Sequence, residues 1–355
     1  MSAKHAYLNI KIDDLDITAE PDYVTGFVYE RKTTDSGNIM SFTVYDQLAM
    51  QIEAMLIEGS KSVEFSYGLS PQSSRTYIAQ VMDWRPVLTG WGATITVECV
   101  TTAIADKNKG SKQSYEGSPS DVVRQVAEEE GWSLGVIEPT QQINHHDMKN
   151  KLTPKQFYRD GLSATHFLNE RVLPFAVSRL TGNSGYYLYF TDTEPSTVNF
   201  HTEKYKTSSE VLDISFIVGS GDSDVIDWSP NYSGAALLSS EGLLLEYQDN
   251  TGKLQQVIKG NKNDLQRKVV RVRSREEAEA LSEYMWALKR RYSYTGNLTL
   301  VNRPHIDPFT TISLLVLSNY NVPHHTSGLY TVITTKDTIV GGLISSELLV
   351  LGEMA

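Results

Sequence analysis

Polar and apolar residues alternate with a period of two along most of the chain. Leu8, Ile10 and Ile12 interleave with Tyr7, Asn9 and Lys11. Met40, Phe42 and Val44 share one face, and Ser41, Thr43 and Tyr45 share the other. Ile95, Val97 and Cys99 point one way while Thr94, Thr96 and Glu98 point the other. Alternation rich in β-branched and aromatic residues predicts half-buried strands. The period changes once in this region, where Leu48, Ile52, Met55 and Leu56 fall on one helical face. Asp46 can cap that helix and Gly59 can end it. Residues 1–105 therefore read as a compact sheet or barrel with one helix.

The stretch DKNKGSKQSYEGSPS (Asp106 to Ser120) is polar and reads as a linker. A helix follows, with Ser118 or Ser120 as N-cap, Val122, Val123 and Val126 as its stripe, and Gly131 as its stop. Short helices and the strand YYLYFTDT complete an inserted α+β domain, 106–205 with the linker. VLDISFIVG returns to strand alternation. Residues 233–287 read as an inserted strand pair around the turn DNTG, then a helix. Ser274 and Glu277 form a capping box for that helix, and Ala278, Leu281, Met285 and Leu288 form its stripe. Strands resume to the end. Residues 206–232 and 288–355 thus make a second, discontinuous β unit.

Two stretches share an outline. RTYIAQVMDWRPVLTGWGATITVECV and GLYTVITTKDTIVGGLISSELLVLG each run strand, glycine turn, strand, and each closes its β region. The adjacent Gly341 and Gly342 suit a tight primed turn. Residue identity between the two is poor, so the outline alone leaves a choice between ordinary hairpins and an internal duplication.

Charge and composition narrow the function. Lys and Arg total 32 against 43 Asp and Glu, a net charge of -11 over 355 residues. Such a surface repels nucleic-acid phosphate on average. The single cysteine, Cys99, excludes an internal disulfide and a cysteine-based metal site. The first residues hold no apolar signal region, and no apolar run approaches the roughly 18 residues of a spanning helix. The expectation is a protein made in the cytoplasm and not inserted in a membrane. His145 with His146, and His324 with His325, read as loop residues, since adjacent histidines rarely chelate one ion. The Asp13, Asp14, Asp16 and Asp222, Asp224, Asp227 groups lack the calcium-loop alternation. GxSxG, HExxH and Walker patterns are absent. No cofactor, metal or catalytic residue is expected.

The order of regions, with SPSDVVRQVAEEEGW followed by LTPKQFYRDGLSATHFLNE and with GLYTVITTKD near the end, resembles the baseplate hub proteins of phage tails, including the late control gene D family. The first module of type VI secretion spikes is similar. One departure is local: members often carry Pro-Gly where this chain has Pro308 followed by Phe309. The resemblance implies a mainly β chain with α+β insertions, holding two tail-tube-like β-barrels and two smaller modules. It implies a homotrimer with pseudo-sixfold symmetry that joins a hexameric tail tube to a trimeric spike. The implied partners are the tail tube, central spike and tape-measure proteins, with DNA passing unbound through the channel. The implied place is the tail baseplate, assembled in the host cytoplasm. Leu48, Ile52 and Met55 on one helix and Leu281, Met285 and Leu288 on the other are candidate subunit contacts, the two helices being read as equivalent parts of the two barrels. Trp84, Trp91 and Trp228 are candidate interface anchors. Two alternatives stay open: a tail-associated cell-wall hydrolase acting through the α+β insert, and the hub of a phage-like injection or secretion machine.

Overall fold

The structure is a computed structural model. It describes residues 6–13, 15–18, 24–33, 37–45, 47–59, 61–90, 92–101, 112–146, 151–192, 196–203, 205, 211–221, 223–231, 241–291 and 294–352. The first unit comprises β1 (Tyr7–Ile12), β2 (Leu15–Asp16), β3 (Val24–Lys32), β4 (Ile39–Tyr45), α1 (Gln47–Ile57), β5 (Ser62–Gly68), β6 (Arg75–Thr89) and β7 (Gly92–Thr101). In space the strands run β3-β4-β7-β6-β5-β1-β2, all antiparallel. Ile10, Phe27, Tyr29, Phe42, Phe65 and Val97 fill the concave side, and α1 covers it with Ala49, Ile52 and Leu56. Cys99 is buried in the same core. The proposed cap Asp46 lies outside the described residues.

The inserted α+β module holds β8 (Ser114–Tyr115), α2 (Pro119–Glu130), β9 (Ser133–Ile137), β10 (Asn144–His146), β11 (Leu152–Pro154), β12 (Phe157–Tyr158), α3 (Ala164–Phe167), β13 (Tyr187–Thr191) and β14 (Thr197–His201). Ser118 precedes α2, and its N–H and hydroxyl both donate to Asp121. Gly131 ends the helix in the left-handed region, where a residue without Cβ is favoured. Val122, Val123 and Val126 pack under Phe167, Phe190 and Phe200. His145 and His146, read from sequence as loop, lie in the short strand β10, antiparallel to β11.

The chain then forms β15 (Val211–Ile217) and β16 (Val225–Asn231). A small sheet follows: β17 (Gly242–Gln248), β18 (Leu254–Gly260) and β19 (Leu265–Val269), with α4 (Arg275–Arg291) behind it. The expected strand pair is thus a three-stranded sheet, because Leu265–Val269 adds a third strand parallel to β17. α4 runs unbroken past residue 288. β20 (Thr295–Val301), β21 (Thr311–Leu317), β22 (Gly328–Val340) and β23 (Leu343–Gly352) complete the second unit, ordered β16-β20-β23-β22-β21-β15.

The two helices are not equivalent. α1 lies between β4 and β5 and packs into the first core. α4 lies between β16 and β20 and packs on β17 and β18, where Ala278 meets Leu245, Tyr247 and Val272. Their similar apolar stripes therefore cover different sheets.

The strands do repeat. Thr89 pairs with Gly92 across one turn, and Val340 pairs with Leu343 across the other. Both long strands bulge at the same distance from the turn, at Met82 and at Ile333. β4 pairs with β7, and β20 with β23, in the same register. β3 and β16 pair with β4 and β20 in the same register and bulge at the same place, Thr25 and Ile226. Two matched bulges within matched registers describe one fold written twice. The copies depart at one edge, where β1 runs antiparallel to β5 but β15 runs parallel to β21.

One seam joins the two units into a single 13-stranded sheet. The far half of β22, from Thr334 to Ile339, pairs with β3 from Lys32 to Phe27. Gly341 and Gly342, both at positive φ, turn the β22–β23 hairpin, and its tip carries Ile339 and Ile344 into the first core. Asp337 sits at the seam fully buried. Its Oδ2 accepts from Arg31 Nη2 (3.1 Å), the Tyr67 hydroxyl (2.6 Å) and the His305 N–H (3.2 Å), while Oδ1 accepts from Ser346 (2.5 Å). Burial and this carboxylate push the Tyr67 hydroxyl's pKa up. Removing one partner of a buried ion pair strands the other. We expect Asp337→Ala to lower the unfolding free energy by about 3–5 kcal/mol in urea denaturation. Asp337→Asn, whose one carbonyl oxygen can still accept from Tyr67 while its amide nitrogen faces the Ser346 hydroxyl, should cost less.

Candidate assembly surface

A loop between β20 and β21 locks the seam from above. Arg31 Nη1 donates to Asp307 at 2.6 Å, and Arg75 Nη1 adds a second bond to that carboxylate at 2.8 Å. His305 lies over Tyr67, ring centroids 4.3 Å apart, and its Nε2 donates to the Tyr67 carbonyl at 2.7 Å. That donation fixes the tautomer: Nδ1 accepts from the Tyr77 hydroxyl at 3.2 Å. Burial lowers the His305 pKa, which agrees with a neutral ring.

The same loop docks the α+β module. Phe309 has φ 66°, in the left-handed region that favours glycine. This is the position where the resemblance led us to expect Gly. The phenyl ring accounts for the departure: it packs against Tyr187, Tyr189 and His201, with centroids 4.7–4.9 Å away. Asp192, just past β13, accepts from Tyr29 Oη and from Asn38 Nδ2 (2.6 Å), tying the module to the first unit. Burial, then the nearby Asp307, pushes the Asp192 carboxyl up to about 8.

Several carboxylates of the module are engaged in structure. Glu138, fully buried, accepts from the Thr202 N–H (2.7 Å) and hydroxyl (2.8 Å). Glu129 accepts from Gln113 and Tyr115, and Glu130 pairs with Arg159. Among the described residues no group of three His, Cys, Asp or Glu could hold a metal ion.

The tip of the β6–β7 hairpin contrasts with the rest. It projects past β5, which pairs only with Arg75–Gln80, and exposes Met82, Val87 and Leu88. β16 is the last strand of the sheet and exposes Ile226. Of the candidates from sequence, Trp84 stands half-buried on the first core at the base of this tip, and Trp91 at its turn lies outside the described residues. Ile52 is fully buried and Met55 partly buried in the first core; the Leu48 side chain lies outside the described residues. Leu281 and Met285 pack partly buried beside the β17 sheet, and Leu288 is half-buried on α4. Trp228 is half-buried on β16. Met82, Val87, Leu88 and Ile226 escaped the sequence reading, although an apolar residue on both faces of a strand near a turn is a usable signal.

No protein-family model matches the sequence, and no curated protein matches it. Solved structures match by shape. A tail protein from Neisseria meningitidis covers 98% of this chain and 97% of its own at TM-score 0.66 and 9% identity. The 43 kDa tail protein of prophage MuSo2 from Shewanella oneidensis covers 98% of both chains at TM-score 0.63 and 11% identity. The chain has the phage tail-protein fold. That fold also occurs in an E. coli type VI secretion component described as similar to the T4 tail proteins gp27 and gp5. It matches over 97% of this chain and 77% of its own, at TM-score 0.56 and 9% identity. In this tail-protein fold, then, the mainly β architecture with two barrel-like units and α+β insertions is the frame that carries the tip and the edge.

The Asp192 shift sets a pH dependence. Its folded pKa lies above the ordinary value of 3.8, so the folded state holds a proton that the unfolded state loses. Its contribution is full below about pH 4 and is lost as pH rises toward about 8. Asp192→Asn should therefore gain thermal stability relative to the natural chain as pH rises from about 5 to about 8. Melting curves of both proteins across that range test this.

Proposed function

We propose that this chain is the structural baseplate hub of a phage tail and works as a homotrimer. The observation that carries the reading is the repeated fold, matched in register and in bulges, within one chain. Three such chains present six similar units, which suits a joint between a sixfold tube and a threefold spike. Residues 1–105, and 206–232 with 288–355, would be the tube-type units; 106–205 and 233–287 would stiffen the outside. The tail tube protein would stack on one side and the central spike on the other. The tape-measure protein and DNA would pass through the channel, which the net charge of -11 keeps from binding phosphate. The role is geometric and needs no catalytic step, cofactor or metal. Its place would be the virion tail baseplate, after assembly in the host cytoplasm. The likeness to a type VI secretion component supports a second setting, the hub of a phage-like injection machine, with the same assembly.

Light scattering on the purified protein tests the reading. We expect a mass near three times 39.7 kDa, stable to dilution. A mass of 39.7 kDa at every concentration overturns it.

A further inference from the structure

The seam inside the chain shows what a neighbouring unit does to a hairpin tip. The shared register makes β6 the counterpart of β22, and β16 the counterpart of β3. Inside the chain, the far half of β22 lies along β3. The side of the far half of β6 away from β7, and the side of β16 away from β20, have no described strand beside them. The burial differs accordingly. Ile339 of the seam is 6% exposed, while its counterpart Leu88 is 69% exposed. One chain therefore carries one closed seam and both halves of a second.

We propose that copies of this chain join head to tail, with the β6–β7 tip of one copy seated against the β16 edge of the next. This rests on the reading of the chain as an oligomeric hub. Because tip and edge are different surfaces, the contact is heterologous, and such contacts close a ring when the rotation between copies allows it. Transposing the seam register places Leu88 opposite Trp228, Val87 opposite Ser229 and Pro86 opposite Pro230.

The chemistry of this second joint differs from the seam in one direction. At the seam, Asp337, Tyr29, Tyr67 and Ser346 form a buried polar set. Their counterparts are Pro86, Pro230, Val316 and Ile95, all without a polar side-chain atom. Such an edge can stand in water before assembly with no carboxylate at the place of Asp337, and it gains by burial on contact. The two prolines also stop a main-chain ladder at that point, since neither has an N–H to donate. Side chains must then hold the joint. Trp228 is set for this: it lies across Gly296, where an added Cβ would sit 2.2 Å from the indole. Its Nε1 donates to Thr326 at 3.2 Å.

Cross-linking tests the joint. Val87→Cys and Ser229→Cys are made in the full chain, singly and together, and treated with a short bis-maleimide. Cys99 is buried, with its thiol pushed up to about 12, and does not compete. We expect covalent dimers and trimers from the double variant only, because Val87 meets Ser229 of the next copy and never another Val87. Leu88→Asp, at an exposed position, should drop the light-scattering mass to 39.7 kDa while its circular dichroism spectrum stays that of the natural chain. An oligomer of natural mass that fails to cross-link in the double variant, or that cross-links in a single variant, overturns this joint and leaves the hub reading standing. A natural chain that stays at 39.7 kDa at every concentration overturns both.

Discussion

The molecule turns on one buried carboxylate. Asp337 is enclosed between two sheet regions that would otherwise be separate, and four donors from four parts of the chain converge on it. Arg31 comes from β3 and Tyr67 from β5 of the first unit, His305 from the locking loop and Ser346 from the hairpin's own return strand. Burying a charge is costly unless its hydrogen bonds are satisfied. A cluster of this kind accepts one arrangement of its members and rejects near misses. It also fixes the loop carrying Asp307 and Phe309, and through that loop the placement of the α+β module. The joining of units, the docking of the insert and the aim of the hairpin all trace back to this set of bonds.

The same cluster bears on partner choice. The β22–β23 hairpin and the β6–β7 hairpin share a backbone plan, so either could in principle lie along either receiving strand. A tip carrying Asp337 set against β16 would bring a carboxylate to Pro230 and Val316, with no donor among those two side chains. Specificity of this sort comes from the penalty on the wrong pairing as much as from the gain on the right one.

Much of this fold was legible in the sequence. Period-two alternation placed β1, β4 and β7, and the polar and glycine signals placed α2 and its ends, because these are local effects written in neighbouring residues. Pro308-Phe309 stood out as a departure, though only the contact with Tyr187, Tyr189 and His201 explains how a ring is kept at a left-handed position. The duplication was visible only as an outline. Its proof lies in strand register and bulges, which depend on pairings between residues far apart in sequence. The equivalence of the helices failed for a related reason: a stripe of Leu, Met and Ala states that a helix is covered, not by which sheet. The β3–β22 seam left no mark at all, since it is a pairing of two ordinary strands.

That seam sets a timetable for the protein's birth. Arg31 and Asp337 stand 306 residues apart. Contacts of such separation are slow to form, and closing so large a loop must precede any reward from it. A growing chain displays the outer edge of β3, with Phe27 and Tyr29 beside it, until Thr334–Ile339 have been made. An unpaired edge of that kind is open to strands from other chains. The period between synthesis of the first unit and arrival of the β22–β23 hairpin is thus when this protein most needs a chaperone, or a slow traffic of neighbours, to reach its folded form.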